Sequence, residues 1–561
     1  MSSRKIRDFI GEQLNRLLDL FLKRAYLFGA VILLNVVVVS TITVTVPYPL
    51  SAVLGAIVII GSVMLLVYYV GIRRLGGIIP VSDDLAFVLV HMRCLVTGNP
   101  PLVTLFQKVG EADFYRKKYR DLYSKITTLT KNWGYSLPES LRLVSKETPS
   151  KVEEQLFQRF SAIVATGGDV KEYLRLEYNT LFSEYKSGYS RMIETLRVVL
   201  GIYTTLIGAL TFLVATLMLL GMIFGGAVEL VLTAIVGMAL ALLAMSSVLY
   251  FIIRRPLFEC RRSRAGIVRS ISVLGACGMA FLALIFTYLV ITLKITEMEA
   301  TSLYVIFAGL ALLPAGLLVK FYEGRIIEYD MFYPAFLRSY GEHLAVVPNM
   351  LESLKPLLMA ELGKLKKLLV KVYAGLLNKI DPRIIWTRFA EESGSDLVAR
   401  TTKIFIDTIE LGGDTGEAGS LLSDHVNEFF RLRLAYLQVF RTFEITLYAM
   451  HAVAIVLLIF VGGFINAFAS VVLKYAMSVP AEFAGLFSFF TVKPVDISLM
   501  VNISTLVLAM SNTIALLSVN PGSRHAVYYF LAVMLIMTGV GVYLGSIAME
   551  SLLGTFFTPF I

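Results

Sequence analysis

Asp414 and Glu417 stand three residues apart in Gly412-Gly413-Asp414-Thr415-Gly416-Glu417. The same spacing occurs 245 residues earlier, in Gly167-Gly168-Asp169-Val170-Lys171-Glu172. The pattern has a plain structural reading. Glycine ends one helix in a left-handed conformation, the aspartate caps the next, and the glutamate completes an acidic variant of the capping box. Gly167, Gly168, Asp169, Gly412 and Gly413 are therefore expected in tight helix–turn–helix hairpins. A second reading adds that the turn presents Asp414 or Glu417 to a partner.

Other chemistry is sparse. No GxxxxGK[ST] phosphate loop, HExxH, GxSxG or paired Cys/His cluster occurs, so no catalytic residue, cofactor or metal is expected. Cys94, Cys260 and Cys277 have no CxxC spacing and read as reduced or buried thiols. The five histidines are scattered, at 91, 343, 425, 451 and 525. His451 falls about two turns inside an apolar run, where a packed, hydrogen-bonded imidazole is expected in preference to a proton relay.

Basic residues form the remaining pattern. Lys364, Lys366, Lys367 and Lys371 cluster along one segment, Arg431 and Arg433 along another, and Arg116-Lys117-Lys118 with Arg120 along a third. Each alone reads as a solvated face; together they suit an acidic protein partner. Nucleic acid is not expected, because no stacking aromatics interleave with these charges. Residues 4–24 form an amphipathic pattern, with Ile6, Phe9, Leu14, Leu17 and Phe21 on one side and Arg4, Lys5, Arg7 and Arg16 on the other. Such a helix lies on anionic membrane lipids.

The elements that position these residues are dictated by composition. Of 561 residues, 57% are hydrophobic and 16% charged, against about 25% charged in soluble domains. A bilayer core requires roughly 20 apolar residues per helix. Nine segments qualify: 27–46, 50–72, 198–221, 228–253, 271–293, 303–319, 444–466, 497–519 and 527–548. With the N-terminus cytoplasmic, all 51 Lys and Arg except Lys294, Lys474 and Lys493 fall on or beside the inner face. An odd number of spans then puts the C-terminus outside a multi-pass cell-membrane protein. No cleavable signal peptide is expected. Intramembrane charge, the mark of an ion-coupled transporter, is missing.

Two stretches between spans, 73–197 and 320–443, have nearly equal length. Together with the repeated GGDxxE turn, this predicts a duplication of two spans, a bundle and two spans, with a ninth span appended. The expected fold is all-α. It comprises an amphipathic N-terminal helix (1–26), spans one and two (27–72), a first cytoplasmic helical domain (73–197), spans three to six (198–319), a second domain (320–443), and spans seven to nine (444–561) with an outer loop at 467–496. Ser136-Leu137-Pro138, Thr148-Pro149 and Asp381-Pro382 look like helix starts. Segment 358–379 carries apolar residues at helical spacing. Asn35, Asn466, Asn502 and Asn512 are expected to bond between spans, and Gly541 and Gly545 to allow close packing.

Two matching helical domains flanked by spans, the second with Gly412-Gly413-Asp414-Thr415-Gly416-Glu417, resemble the platform proteins of type II secretion and type IV pilus machines. The length and number of spans are most similar to the archaeal branch, which serves archaella and adhesive pili. The resemblance implies a non-enzymatic membrane platform, homo-oligomeric, with a dimer as one form. A hexameric secretion-type ATPase would dock beneath it and drive pilin-like subunits into a filament. On that expectation Lys364, Lys366, Lys367, Lys371, Arg431 and Arg433, with Asp414 and Glu417, contact the ATPase. The rival from another class is a multi-spanning transporter with regulatory domains.

Overall fold

The computed structural model describes residues 81–148, 150–224, 227–252, 258–260, 266–292, 297–478 and 494–557. The N-terminal amphipathic helix and the first two expected spans lie outside these residues. The described chain folds into helices α1 (Asp83–Leu95), α2 (Leu102–Glu111), α3 (Lys117–Lys131), α4 (Leu137–Glu147), α5 (Lys151–Ala165), α6 (Val170–Phe224), α7 (Ala227–Ile252) and α8 (Gly266–Thr292). They are followed by α9 (Met298–Val346), α10 (Met350–Leu354), α11 (Leu365–Leu377), α12 (Pro382–Ser393), α13 (Asp396–Glu410), α14 (Thr415–Ser478), α15 (Pro494–Val519) and α16 (Val527–Phe557). Seven of them, α6 to α9 and α14 to α16, are long and apolar enough to cross a membrane. They contain the seven expected spans that fall within the described residues, and the chain is an all-α multi-pass membrane protein.

Small residues and a polar chain hold the spans together. Gly541 and Gly545 of α16 face Ile455 and Ile459 of α14, so closely that an added Cβ would stand 2.9 and 2.8 Å from those side chains. His451 is fully buried. Its Nε2 lies 2.9 Å from Thr538 Oγ1, and its Nδ1 lies 3.2 Å from Asn512 Nδ2. Tyr203 donates to Asn512 Oδ1 at 3.2 Å. The chain Tyr203–Asn512–His451–Thr538 thus ties α6, α15, α14 and α16 together, and it satisfies polar groups where water is scarce.

Outside the membrane the helices build two bundles, α1–α5 with the first part of α6, and the last part of α9 with α10–α13 and the first part of α14. Ser136 caps α4, accepting from the Glu139 N–H, and Asp381 caps α12, accepting from the Arg383 N–H. Three local expectations are corrected. Thr148 does not open a helix; it closes α4, its hydroxyl donating to the Val144 carbonyl, and α5 begins at Lys151. Segment 358–379 is not one helix, because Gly363 turns with φ +52° against Phe332 and delays the helix to Leu365. The outer loop expected from 467 begins later: Ala467 to Leu473 is apolar apart from Ser470 and free of Gly and Pro, so α14 continues to Ser478.

Candidate functional site

The two GGDxxE elements fold alike. Gly167 and Gly412 have φ of +70° and +68°. In each turn the following glycine donates back into the preceding helix, Gly168 N–H to Ile163 O and Gly413 N–H to Thr408 O, both at 2.9 Å. Asp169 Oδ1 accepts from the N–H groups of Lys171 and Glu172, and Asp414 Oδ1 accepts from the Glu417 N–H. The glutamates do not close the capping box. Glu172 pairs with Arg175 and Glu417 with Lys171, since a longer-reaching cation outcompetes a single backbone donor.

From these turns α6 and α14 run side by side and parallel. Lys171 meets Glu417 at 2.8 Å, Tyr178 meets His425 at 2.9 Å, and Lys186 meets Glu428 at 3.3 Å. Further along, the Tyr203 and Phe443 rings lie 5.9 Å apart, and Gly208 lies against Met450. Neither helix contains proline. The extramembrane lengths, 170–197 and 415–443, are about 42 Å each at 1.5 Å per residue. The paired turns therefore sit at the membrane-distal end of two rods that enter the bilayer unbroken.

Charge pairs join the bundles. Arg400 bonds Asp84 and Asp396, both at 2.7 Å, with the arginine and Asp84 buried. Lys108 reaches Asp407 at 3.2 Å and Glu410 at 2.9 Å, and Lys403 pairs with Asp113. Burial works against the Asp407 carboxylate, but His91, whose Nε2 lies 3.4 Å away, and the Lys108 ammonium outweigh it and hold its pKa below the usual range. Thr97 Oγ1 accepts from the Asp414 N–H at 3.0 Å, so the first bundle also fastens the second turn. A cleft of about 210 Å³ between the bundles is lined by Lys108, Asp113, Arg383, Trp386, Lys403 and Glu410. Lys108 and Lys403 are matched by carboxylates on the opposite wall, and Arg383 pairs with Glu410 of its own bundle. Sequence reasoning missed this junction. Its one available signal was Arg400, which shares a helix face with Leu397 and Ile404.

The expected partner-binding residues are not in one place. Arg433 is 1% exposed and pairs with the fully buried Asp330, whose second oxygen accepts from the Ser395 hydroxyl. It is an interior residue and leaves the exposed set. Arg431 is exposed beside Glu428. Lys364 is held by Glu328 at 2.5 Å and Lys371 by Glu392 at 2.7 Å, on the flank of the second bundle, while Lys366 and Lys367 point to solvent. Asp414 and Glu417 lie at the distal turn. Among the described residues no group of His, Cys, Asp and Glu is placed to hold a metal ion.

Residues 89–218, which are most of the first bundle and α6 into the membrane, match the family described as type II secretion system (T2SS), protein F. The chain is thus a multi-pass membrane protein with a segment that matches the type II secretion F family. It is similar to flagella accessory protein J of Methanocaldococcus jannaschii, with 23% identity over 337 residues, 58% of this chain and 59% of that one. It is also similar to flagella accessory protein J of Methanococcus voltae, with 24% identity over 340 residues, 58% of this chain and 60% of the relative. The chain thus matches about three fifths of the length of these relatives, and the resemblance to the archaeal branch of the platform proteins holds. No solved structure matches.

Proposed function

We infer that this chain is the non-enzymatic platform of an archaeal type IV pilus-like machine, an archaellum in the first instance. It docks a cytoplasmic hexameric ATPase and passes that motor's movement to pilin-like subunits in the membrane. The observation that carries this reading is the continuity of α6 and α14 from their paired distal turns into the bilayer. Rods joined laterally by Lys171–Glu417 and Tyr178–His425 transmit displacement without a fuel-burning site of their own. On this reading the N-terminus and both bundles are cytoplasmic and the C-terminus is outside. The two bundles are copies of one unit: helix starts at Leu137, Lys151 and Val170 precede those at Pro382, Asp396 and Thr415 by the same 245 residues.

Docking draws on the exposed cations of the second bundle. Because Lys364 and Lys371 are engaged by Glu328 and Glu392, Lys366 and Lys367 carry most of the charge offered to an acidic partner, with Arg431, Asp414 and Glu417 as further contacts. Purification of the protein from its host should bring down a secretion-type ATPase. Reversing Lys364, Lys366, Lys367 and Lys371 to Glu should abolish that association, whereas unchanged binding at moderate salt overturns the docking surface. Deleting the gene should remove the filament, and a cell that keeps its archaella but loses an adhesive pilus places the platform in the second kind of machine.

A further inference from the structure

Residues 253–265 join α7 to α8, two membrane helices that do not continue into either bundle. Of these residues, Phe258, Glu259 and Cys260 are described, and they are clipped onto the second bundle. Glu259 and Ser395 form an antiparallel bridge; the Cys260 N–H donates to Gly394 O at 2.8 Å, and the Asp396 N–H donates to Phe258 O at 3.1 Å. The receiving turn, 393–396, lies between α12 and α13 at the end of the bundle that faces the membrane. Gly394 makes the fit: its φ is +69°, and a Cβ there would stand 2.6 Å from the Tyr322 hydroxyl.

Side chains lock the clip from both sides. Phe258 is buried and lies 5.2 Å from the Arg433 guanidinium, the same interior cation that bonds Asp330. Glu259 accepts from the Ser523 hydroxyl at 3.0 Å, and the Ser523 N–H donates to Glu323 of α9 at 2.9 Å. Ser523 belongs to the connection between α15 and α16. One three-residue strap therefore meets the second bundle, the root of α9 and the α15–α16 connection. The corresponding turn of the first bundle, near Thr148 and Ser150, receives no such strap among the described residues.

We propose that Phe258–Cys260 is a latch that hands movement of the second bundle to α7, α8 and the α15–α16 connection. α9 and α14 carry the second bundle's motion covalently into two spans; the latch recruits four more. The latch makes the second bundle an output body of the platform. This inference rests on the platform reading.

Cys260→Pro removes the N–H that bonds Gly394 and leaves the second bundle's side chains untouched. Phe258→Ala weakens the clip independently, should the first variant fail to accumulate. Hydrogen exchange at the Asp396 amide in the full-length protein reports whether the clip has opened. With an open clip, filament assembly should fall about tenfold while protein level and motor co-purification stay at wild-type values. Wild-type filament assembly with a demonstrably open clip overturns the latch, as does loss of motor co-purification in step with assembly. Gene deletion without loss of any filament defeats instead the platform reading, so the two failures are distinguishable.

Discussion

The Tyr178 hydroxyl on one long helix lies 2.9 Å from His425 Nδ1 on the other, and both residues are buried between Phe87, Phe182 and Phe429. This is a polar contact at the centre of the seam that holds the two rods parallel. Tyr178→Phe should cost about 1 kcal/mol of stability, read as a lowered thermal midpoint in detergent. Wild-type stability would mean that the aromatic packing alone sets the seam.

The same histidine gives a pH signature. Burial pushes the His425 imidazole down to about 3. Below the ordinary value near 6.5, the unfolded chain takes up a proton there that the folded chain refuses. Stability from this group is therefore full above about pH 6.5 and declines as pH falls toward 3, by up to about 1.4 kcal/mol per unit. Thermal melts of His425→Gln between pH 7 and 4 should show a shallower acid decline than wild type, and parallel curves would contradict the assignment.

Arg433 and Asp330 form an interior ion pair with almost no solvent access. Arg433→Met strands the aspartate and should cost about 3–5 kcal/mol. Arg433→Met combined with Asp330→Asn should recover a large part of that loss. A double-mutant cycle by thermal denaturation measures the coupling, and additive losses would show that the pair does not act as a unit.

Gly167 and Gly412 offer a matched test. An added Cβ meets nothing within 4 Å at either position, so the penalty for alanine is conformational alone. Each substitution should cost about 1–2 kcal/mol, and the two costs should agree. Gly413→Ala should cost more than Gly168→Ala, because its Cβ would stand 2.5 Å from Thr408 Cγ2, against 3.3 Å from Ile163 at the earlier turn.

The charged contacts between the bundles should divide by burial. Lys171 and Glu417 keep 49% and 37% side-chain exposure, and Lys171→Met should change stability by less than about 1 kcal/mol. Arg400 is buried between Asp84 and Asp396, and Arg400→Met should cost about 3–5 kcal/mol. Melts in low and high salt provide a check, since only the first contact is open to screening.

The spans were legible in the sequence because an uninterrupted apolar run of membrane length has few other uses. The GGDxxE turns were legible because left-handed glycine followed by a capping aspartate is a local code, complete within six residues. Features set by long-range contact were not. Arg433 reads as one member of a basic pair until Asp330, a hundred residues away in sequence, is placed beside it. Lys364 and Lys371 read as free charge until Glu328 and Glu392 come into reach. The break at Gly363 and the continuation of α14 past 467 reflect local packing and helix propensity that apolar periodicity does not register.

The unbroken course of α6 and α14 also sets a mechanical ratio. Each rod has about 42 Å outside the membrane and crosses a hydrocarbon layer of about 30 Å. If a rod pivots where it enters the bilayer, an ångström of sideways travel at the GGDxxE tip becomes about 0.7 Å, in the opposite direction, at the far surface. The gearing trades distance for force: a weak push at the tip arrives across the membrane as a shorter and stronger one.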